Sequence, residues 1–230
     1  MNNNEQKLDF SLVLASSVHD MKNSVGMLLA SLESLIEESP PTTQVQSKRF
    51  STLQYEASRI NGELIQLLTI YRMQNEFLPV RIDEHYVIDV LEDQVARNHM
   101  LMETGDIELV MRCNENLHWY YDLDLIGSVI HNIVVNCVRY TKSVISISAD
   151  VADDLLCIIV ADDGPGYPDH MLQKPAGLVE DAEVNEGNTH LGLYFAEKIA
   201  QMHKQNNRHG FIKLENGGEL GGGVFKLYIP

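Results

Sequence analysis

From Leu14 onward the apolar residues fall at Leu14, Val18, Met21, Val25, Leu28, Leu32 and Leu35, in alternating steps of three and four. That spacing is a heptad seam, narrower than the apolar face of an ordinary globular helix. Charge then gathers at Glu33, Glu37 and Glu38, and Pro40-Pro41 predicts the helix end. A second seam runs through Phe50, Leu53, Ala57, Ile60, Leu64, Leu67 and Tyr71. Two such helices joined by a loop read as an antiparallel hairpin. One hairpin leaves most of its seam uncovered, so pairing with a second copy into a four-helix bundle is expected, giving a homodimer.

The pattern changes after Pro79, which divides the chain into domains at 1–78 and 79–230. Asp106 to Arg112 predicts a strand and Leu123 to Tyr140 a helix. Val144 to Val151 and Leu155 to Ala161 are β-rich runs across an Asp153-Asp154 turn, a hairpin signal. A further helix is predicted over Leu191 to His203, then a strand pair at Gly210 to Leu214 and Val224 to Ile229. The fold class is α+β. Eleven of the fifteen glycines lie after residue 160, which places tight turns and a phosphate-bearing ligand in the C-terminal half.

Composition narrows the function classes. The three cysteines, Cys113, Cys137 and Cys157, have no paired spacing and lie in apolar runs, as reduced thiols do. The longest apolar run, Leu155 to Ala161, is far too short to span a bilayer, and MNNNEQKLDF lacks the regions of a signal peptide. A net charge of -16 disfavours nucleic acid and anionic membrane as partners. A cytoplasmic protein is expected.

Three clusters carry candidate chemistry. In HNIVVNCVRYT, residues 131–141, Asn132 and Asn136 share one helical face, with Arg139 and Tyr140 on the next turn. The amide oxygen of Asn136 suits an Mg²⁺ shell otherwise made of phosphate and water, although alone such residues read as an exposed polar face. In VADDGPGYP, residues 160–168, a strand delivers Asp162, and Gly164 and Gly166 permit a sharp bend. A carboxylate there can accept the exocyclic amine of adenine, although DDGPG alone is only a good turn. In EGNTHLGLYFAEKIA, residues 186–200, a glycine-containing segment opens a helix whose first amides suit phosphate.

In this order the three resemble the N, G1 and G2 boxes of the ATP-binding domain of two-component sensor histidine kinases. The hairpin resembles those kinases' dimerisation and phosphotransfer domain, so nearly the whole chain is covered. The resemblance implies an α/β two-layer sandwich after the dimeric bundle. It also implies roles for SSVHDMKNSV, residues 16–25. His19 would be the phosphoacceptor, and Asp20 would orient its ring through Nδ1–H, leaving Nε2 to attack. Asn23, one turn later, would position water to dephosphorylate a partner. Asn136 would bind Mg²⁺ and Asp162 adenine, with Gly164 and Gly166 as the G1 turn. Arg139 stands where the family usually has lysine, and Tyr140 where it has an aromatic near the nucleotide. Thr189, Leu191 and Gly192 fall in the G2 box. Asn132 stands where related ATPases place a water-activating glutamate, and as a poor base it would keep the γ-phosphoryl for histidine. Residues 167–188 would be a lid over ATP.

His190 stands where the G2 box usually has glycine, and no aromatic F box is evident in the lid. No sensor segment precedes the hairpin, so a fragment, or a chain signalled by a separate sensor protein, is expected. The implied function is an ATP- and Mg²⁺-dependent histidine kinase that passes phosphate to the receiver domain of a response regulator, with phosphatase activity besides. Two alternatives stay open: a non-catalytic histidine phosphotransfer protein of the same architecture, and a dimeric serine switch kinase.

Overall fold

The computed structural model describes residues 10–75, 77–173 and 190–230. Two long helices come first, α1 (Phe10–Glu38) and α2 (Gln44–Gln74), packed against each other. Helix α1 ends two residues before Pro40, as the proline pair requires. Thr43 caps α2 by accepting Gln46 N–H at 3.2 Å, and Gln46 Oε1 reaches back to Thr42 N–H at 3.0 Å, a reciprocal capping arrangement. Within one chain the seam is only partly covered. Val18 and Ala57 are buried, whereas Met21, Leu28, Leu35, Leu53, Ile60 and Leu67 stay exposed.

The remaining elements are β1 (Asp83–Tyr86), α3 (Val87–Gly105), β2 (Glu108–Cys113), β3 (His118–Tyr121), α4 (Leu123–Tyr140), β4 (Val144–Ala152) and β5 (Leu155–Asp162). They are followed by α5 (Asp169–Gln173), α6 (His190–Met202), β6 (Lys204–Gln205), β7 (Arg208–His209), β8 (Phe211–Gly217) and β9 (Gly222–Ile229). Five strands form the main sheet in the order β2-β4-β5-β9-β8, with β2 and β4 parallel and the other pairs antiparallel. Helices α3, α4 and α6 cover one face, and the core lies between, with Ile126, Ile130, Ile147, Ile158, Phe195 and Leu227 fully enclosed. The architecture is α+β in two layers.

Several expectations need adjustment. The strand expected from Asp106 starts at Glu108, because Asp106 is the left-handed cap of α3 with φ 54°. Helix α3 itself was not legible. The last strand pair begins at Phe211, because Gly210 packs against backbone: a Cβ there would stand 2.5 Å from Ala200 O. The β4–β5 turn forms as expected, with Asp153 and Asp154 both at positive φ. Helix α2 also packs on α3, α4 and α6, so the hairpin meets the second half of the chain along that helix.

Candidate nucleotide site

Helix α4 is set by Asp122, whose Oδ1 accepts Leu125 N–H at 3.0 Å at its N-terminus. Its apolar residues turn into the core, which leaves Asn132, Asn136, Arg139 and Tyr140 along the margin facing α6 and the β5 turn. Asn132 is buried; its Oδ1 accepts from Gln66 Nε2 of α2 and from Asn136 Nδ2 at 3.4 Å. Gly192, at the start of α6, faces the same amide: an added Cβ would stand 2.6 Å from Asn132 Nδ2. The guanidinium of Arg139 lies over the ring of Tyr140, 5.5 Å from its centroid.

Asp162 ends β5 as a buried carboxylate. Its Oδ1 accepts Gly164 N–H at 2.7 Å and Gly223 N–H at 3.3 Å. Gly164 passes so close to α4 that a Cβ would stand 2.5 Å from Tyr140 O, and Gly166 turns the chain at φ 80°. Asn216 of β8 then pins the next residue from both sides, accepting Tyr167 N–H at 2.7 Å and donating to Tyr167 O at 2.8 Å. Cys137 and Tyr167 share the surroundings of the carboxylate. Burial pushes both the thiol and the phenol upward, and the charge of Asp162 adds to each.

A cavity of about 210 Å³ opens between α2, α4 and the start of α6, lined by Arg59, Glu63, Gln66, Asn132, Asn136 and Gly192 among others. Leu191 also lines it. Of the expected residues, Asn132, Asn136, Leu191 and Gly192 therefore share this cavity. Asp162, Gly164 and Gly166 form a second group outside that lining, which meets α4 where Gly164 approaches Tyr140. Thr189 and most of the expected lid, beyond Gln173, lie outside the described residues.

His19, Asp20 and Asn23 stand apart on α1, exposed, and none lines the cavity. His19 Nδ1 lies 3.6 Å from Asp20 Oδ1 and 3.4 Å from Asn23 Nδ2. The carboxylate favours a proton on Nδ1, and the amide N–H favours a lone pair there.

Residues 121–230 match the family described as histidine kinase-, DNA gyrase B- and HSP90-like ATPases. These residues, just under half of the chain, are similar to that ATPase family. The whole chain is also homologous to the sensor protein SrrB of Staphylococcus aureus strain N315, 24% identical over the full length of this chain and 39% of that protein. The chain thus spans about two fifths of the curated relatives it matches. Among solved structures, the Acinetobacter baumannii histidine kinase AdeS has the same fold (TM-score 0.56, 18% identity, 92% of this chain and 96% of that one). So does full-length ShkA, solved in complex with AMPPNP (TM-score 0.60, 19% identity, 94% of this chain and 45% of that one).

The side chains of this ATPase-like region fit a nucleotide and Mg²⁺. Asp162 Oδ2 lies against Gly223 and Tyr167, where it can accept the amine of a base. Asn132 Nδ2 is a buried donor with no partner among the described residues, and a phosphate oxygen would satisfy it. Asn136 can offer its amide oxygen to the cation, and Arg139 balances phosphate charge. Gly192 keeps the cradle open.

Sequence reasoning missed the contribution of α2. Gln54 and Gln66 are buried polar residues on it, and Tyr55, Ser58, Arg59, Gly62 and Glu63 share that flank. Burial pushes the Tyr55 phenol up, and nearby Arg139 draws it back. The signal was present as polar residues at 55, 59, 63 and 66, in steps of four and three. Gly222 and Gly223, which crowd Asp162, read only as a hairpin.

Proposed function

We propose that this chain is an ATP-dependent protein-histidine kinase acting in a two-component pathway. The observation that carries the reading is a division of labour within one chain. An exposed histidine, flanked by an acid and an amide, stands on the hairpin, while a cradle of Asp162, Asn132, Asn136 and Gly192 forms in the ATPase domain. In the reacting tautomer Nδ1–H turns to Asp20 and gives up the Asn23 contact, so the Nε2 lone pair is the nucleophile. That nitrogen forms the bond to the γ-phosphorus as the bond to the bridging oxygen breaks, and ADP leaves with the electron pair. Mg²⁺, when bound, supplies charge neutralisation on the phosphates. Asn132 cannot act as a base, which protects the γ-phosphoryl from water. The ATPase domain carries its groups to His19 by moving relative to α1, since the cavity does not contain that residue.

From His19 the group passes to an aspartate of a response-regulator receiver domain, and Asn23 helps remove it from there. The exposed seam residues support a homodimer, closed as a four-helix bundle by a second copy. The location we propose is cytoplasmic; among the described residues no helix is long and apolar enough to cross a membrane. A separate sensor protein is a further proposed partner.

The test is incubation with γ-labelled ATP and Mg²⁺. Label that is lost in acid and absent from His19→Ala, while that variant still binds nucleotide, is the expected result. Acid-stable label, or label persisting on His19→Ala, would move the acceptor to another side chain.

A further inference from the structure

Three amides from two parts of the chain meet at one oxygen. Asn132 Oδ1 accepts from Gln66 Nε2 on the hairpin and from Asn136 Nδ2 on its own helix. Gln66 is 3% exposed and Asn132 9%, so bulk water does not stand in for either partner. An amide has a donor end and an acceptor end, and fixing one fixes the other. With its oxygen held by Gln66, Asn132 turns Nδ2 toward Gly192, where that donor is buried and has no partner among the described residues. With Nδ2 of Asn136 directed to the same oxygen, the end of Asn136 left for a cation is Oδ1.

We propose that Gln66 is a positioning residue of the nucleotide site. From the hairpin it orients both amides, so that Asn132 offers N–H to phosphate and Asn136 offers oxygen to Mg²⁺. The inference rests on reading the ATPase domain as a functional Mg²⁺-nucleotide site. The polar flank of α2 agrees with it, because Arg59, Gly62 and Glu63 line the same cavity as the two asparagines. Since Gln66 belongs to the hairpin, docking of α2 and binding of the metal–nucleotide pair are linked. Each favours the other by the same factor.

The experiment uses the full chain with Gln66→Leu, which keeps volume and removes the donor, and Gln66→Glu. Calorimetry gives the Kd of a non-hydrolysable ATP analogue in Mg²⁺ and in EDTA, and melting of the nucleotide-free proteins reports folding. For Gln66→Leu the expected Kd in EDTA is weaker by about threefold, as the Asn132 contact to phosphate loosens, and that in Mg²⁺ weaker by at least about tenfold more, the size of one lost charge-assisted contact from Asn136 to the cation. Gln66→Glu loses more, because the introduced carboxylate accepts from Asn132 Nδ2 and turns its oxygen toward the phosphates. Should the leucine variant not fold, the glutamate variant decides by the same ratio. Equal or tighter binding in Mg²⁺, or equal loss in Mg²⁺ and EDTA, would reduce Gln66 to a docking contact and overturn the proposal. A wild type that binds no nucleotide under either condition would overturn the nucleotide-site reading as well, which separates the two failures.

Discussion

His203 Nε2 accepts the backbone N–H of Asp122 at 3.0 Å, tying the end of α6 to the cap of α4. Its Nδ1 lies 2.8 Å from Ile199 O and donates to it, so the ring is neutral and its tautomer is fixed. Burial holds its pKa below the ordinary histidine value, against the opposing pull of the Ile199 carbonyl and Asp122. His131 is lowered too, by burial and then by Arg97. Both rings therefore bind protons more readily unfolded than folded. Their contribution to stability is complete above the unfolded pKa of about 6.5 and is lost as pH falls below it toward the folded values. The melting temperature should be flat above about pH 7 and fall as pH drops below about 6.5. His203→Gln should lower it at neutral pH and flatten that acid slope.

Gly192→Ala sets a methyl 2.6 Å from Asn132 Nδ2, so that amide must shift. Overpacking of this kind costs about 1–3 kcal/mol, which the fold should survive. Nucleotide affinity should fall well beyond what the melting change explains. Calorimetry beside thermal melting checks this, and unchanged affinity would remove Gly192 from the cradle.

Gly222→Ala is the harsher substitution, because its Cβ would meet Asp162 O, Asp162 Oδ1 and Gly164 N, the first two at 2.3 and 2.6 Å. Backbone cannot step aside as a side-chain end can. The expected outcome is a loss of about 3 kcal/mol or more in denaturant unfolding, with nucleotide binding abolished.

Asn136→Ala should weaken binding of ATP in Mg²⁺ by about 1.5–3 kcal/mol, the worth of a contact to a charged partner. Binding in EDTA should change little. Equal affinity of variant and wild type in Mg²⁺ would favour a phosphotransfer protein that has lost its kinase reaction.

Asn23→Ala should leave autophosphorylation normal and slow dephosphorylation of the regulator, with the two rates measured separately. The amide is close enough to reach His19, with Nδ2 3.4 Å from Nδ1. If neither rate moves, Asn23 is a solvated surface amide.

How much was legible depends on how each element is bounded. Helix α4 runs over the expected Leu123–Tyr140, because an aspartate cap and an amphipathic repeat mark it from both sides. The Asp153-Asp154 turn was equally plain. Helix α3 was hidden because its buried positions, Val87, Val90, Leu91, Leu101 and Met102, are interrupted by acidic and amide residues. Asp162, Asn136 and Gly192 could be picked out by type and order. Gln66 could not, because its function depends on which surface α2 meets, and heptad spacing fixes only the apolar side.

The enclosure of α2 has one more consequence. None of residues 61–66 is fully exposed, whereas residues 42–46 at the beginning of the helix all are. One flank of that middle stretch packs on α1 and the other on the ATPase domain. Freedom to vary should therefore run in a gradient along the helix, wide at residues 44 and 45, between the capping groups of Thr43 and Gln46, and narrow at 61–66. In a library covering every position of α2, survivors should be diverse at the first block and nearly uniform at the second.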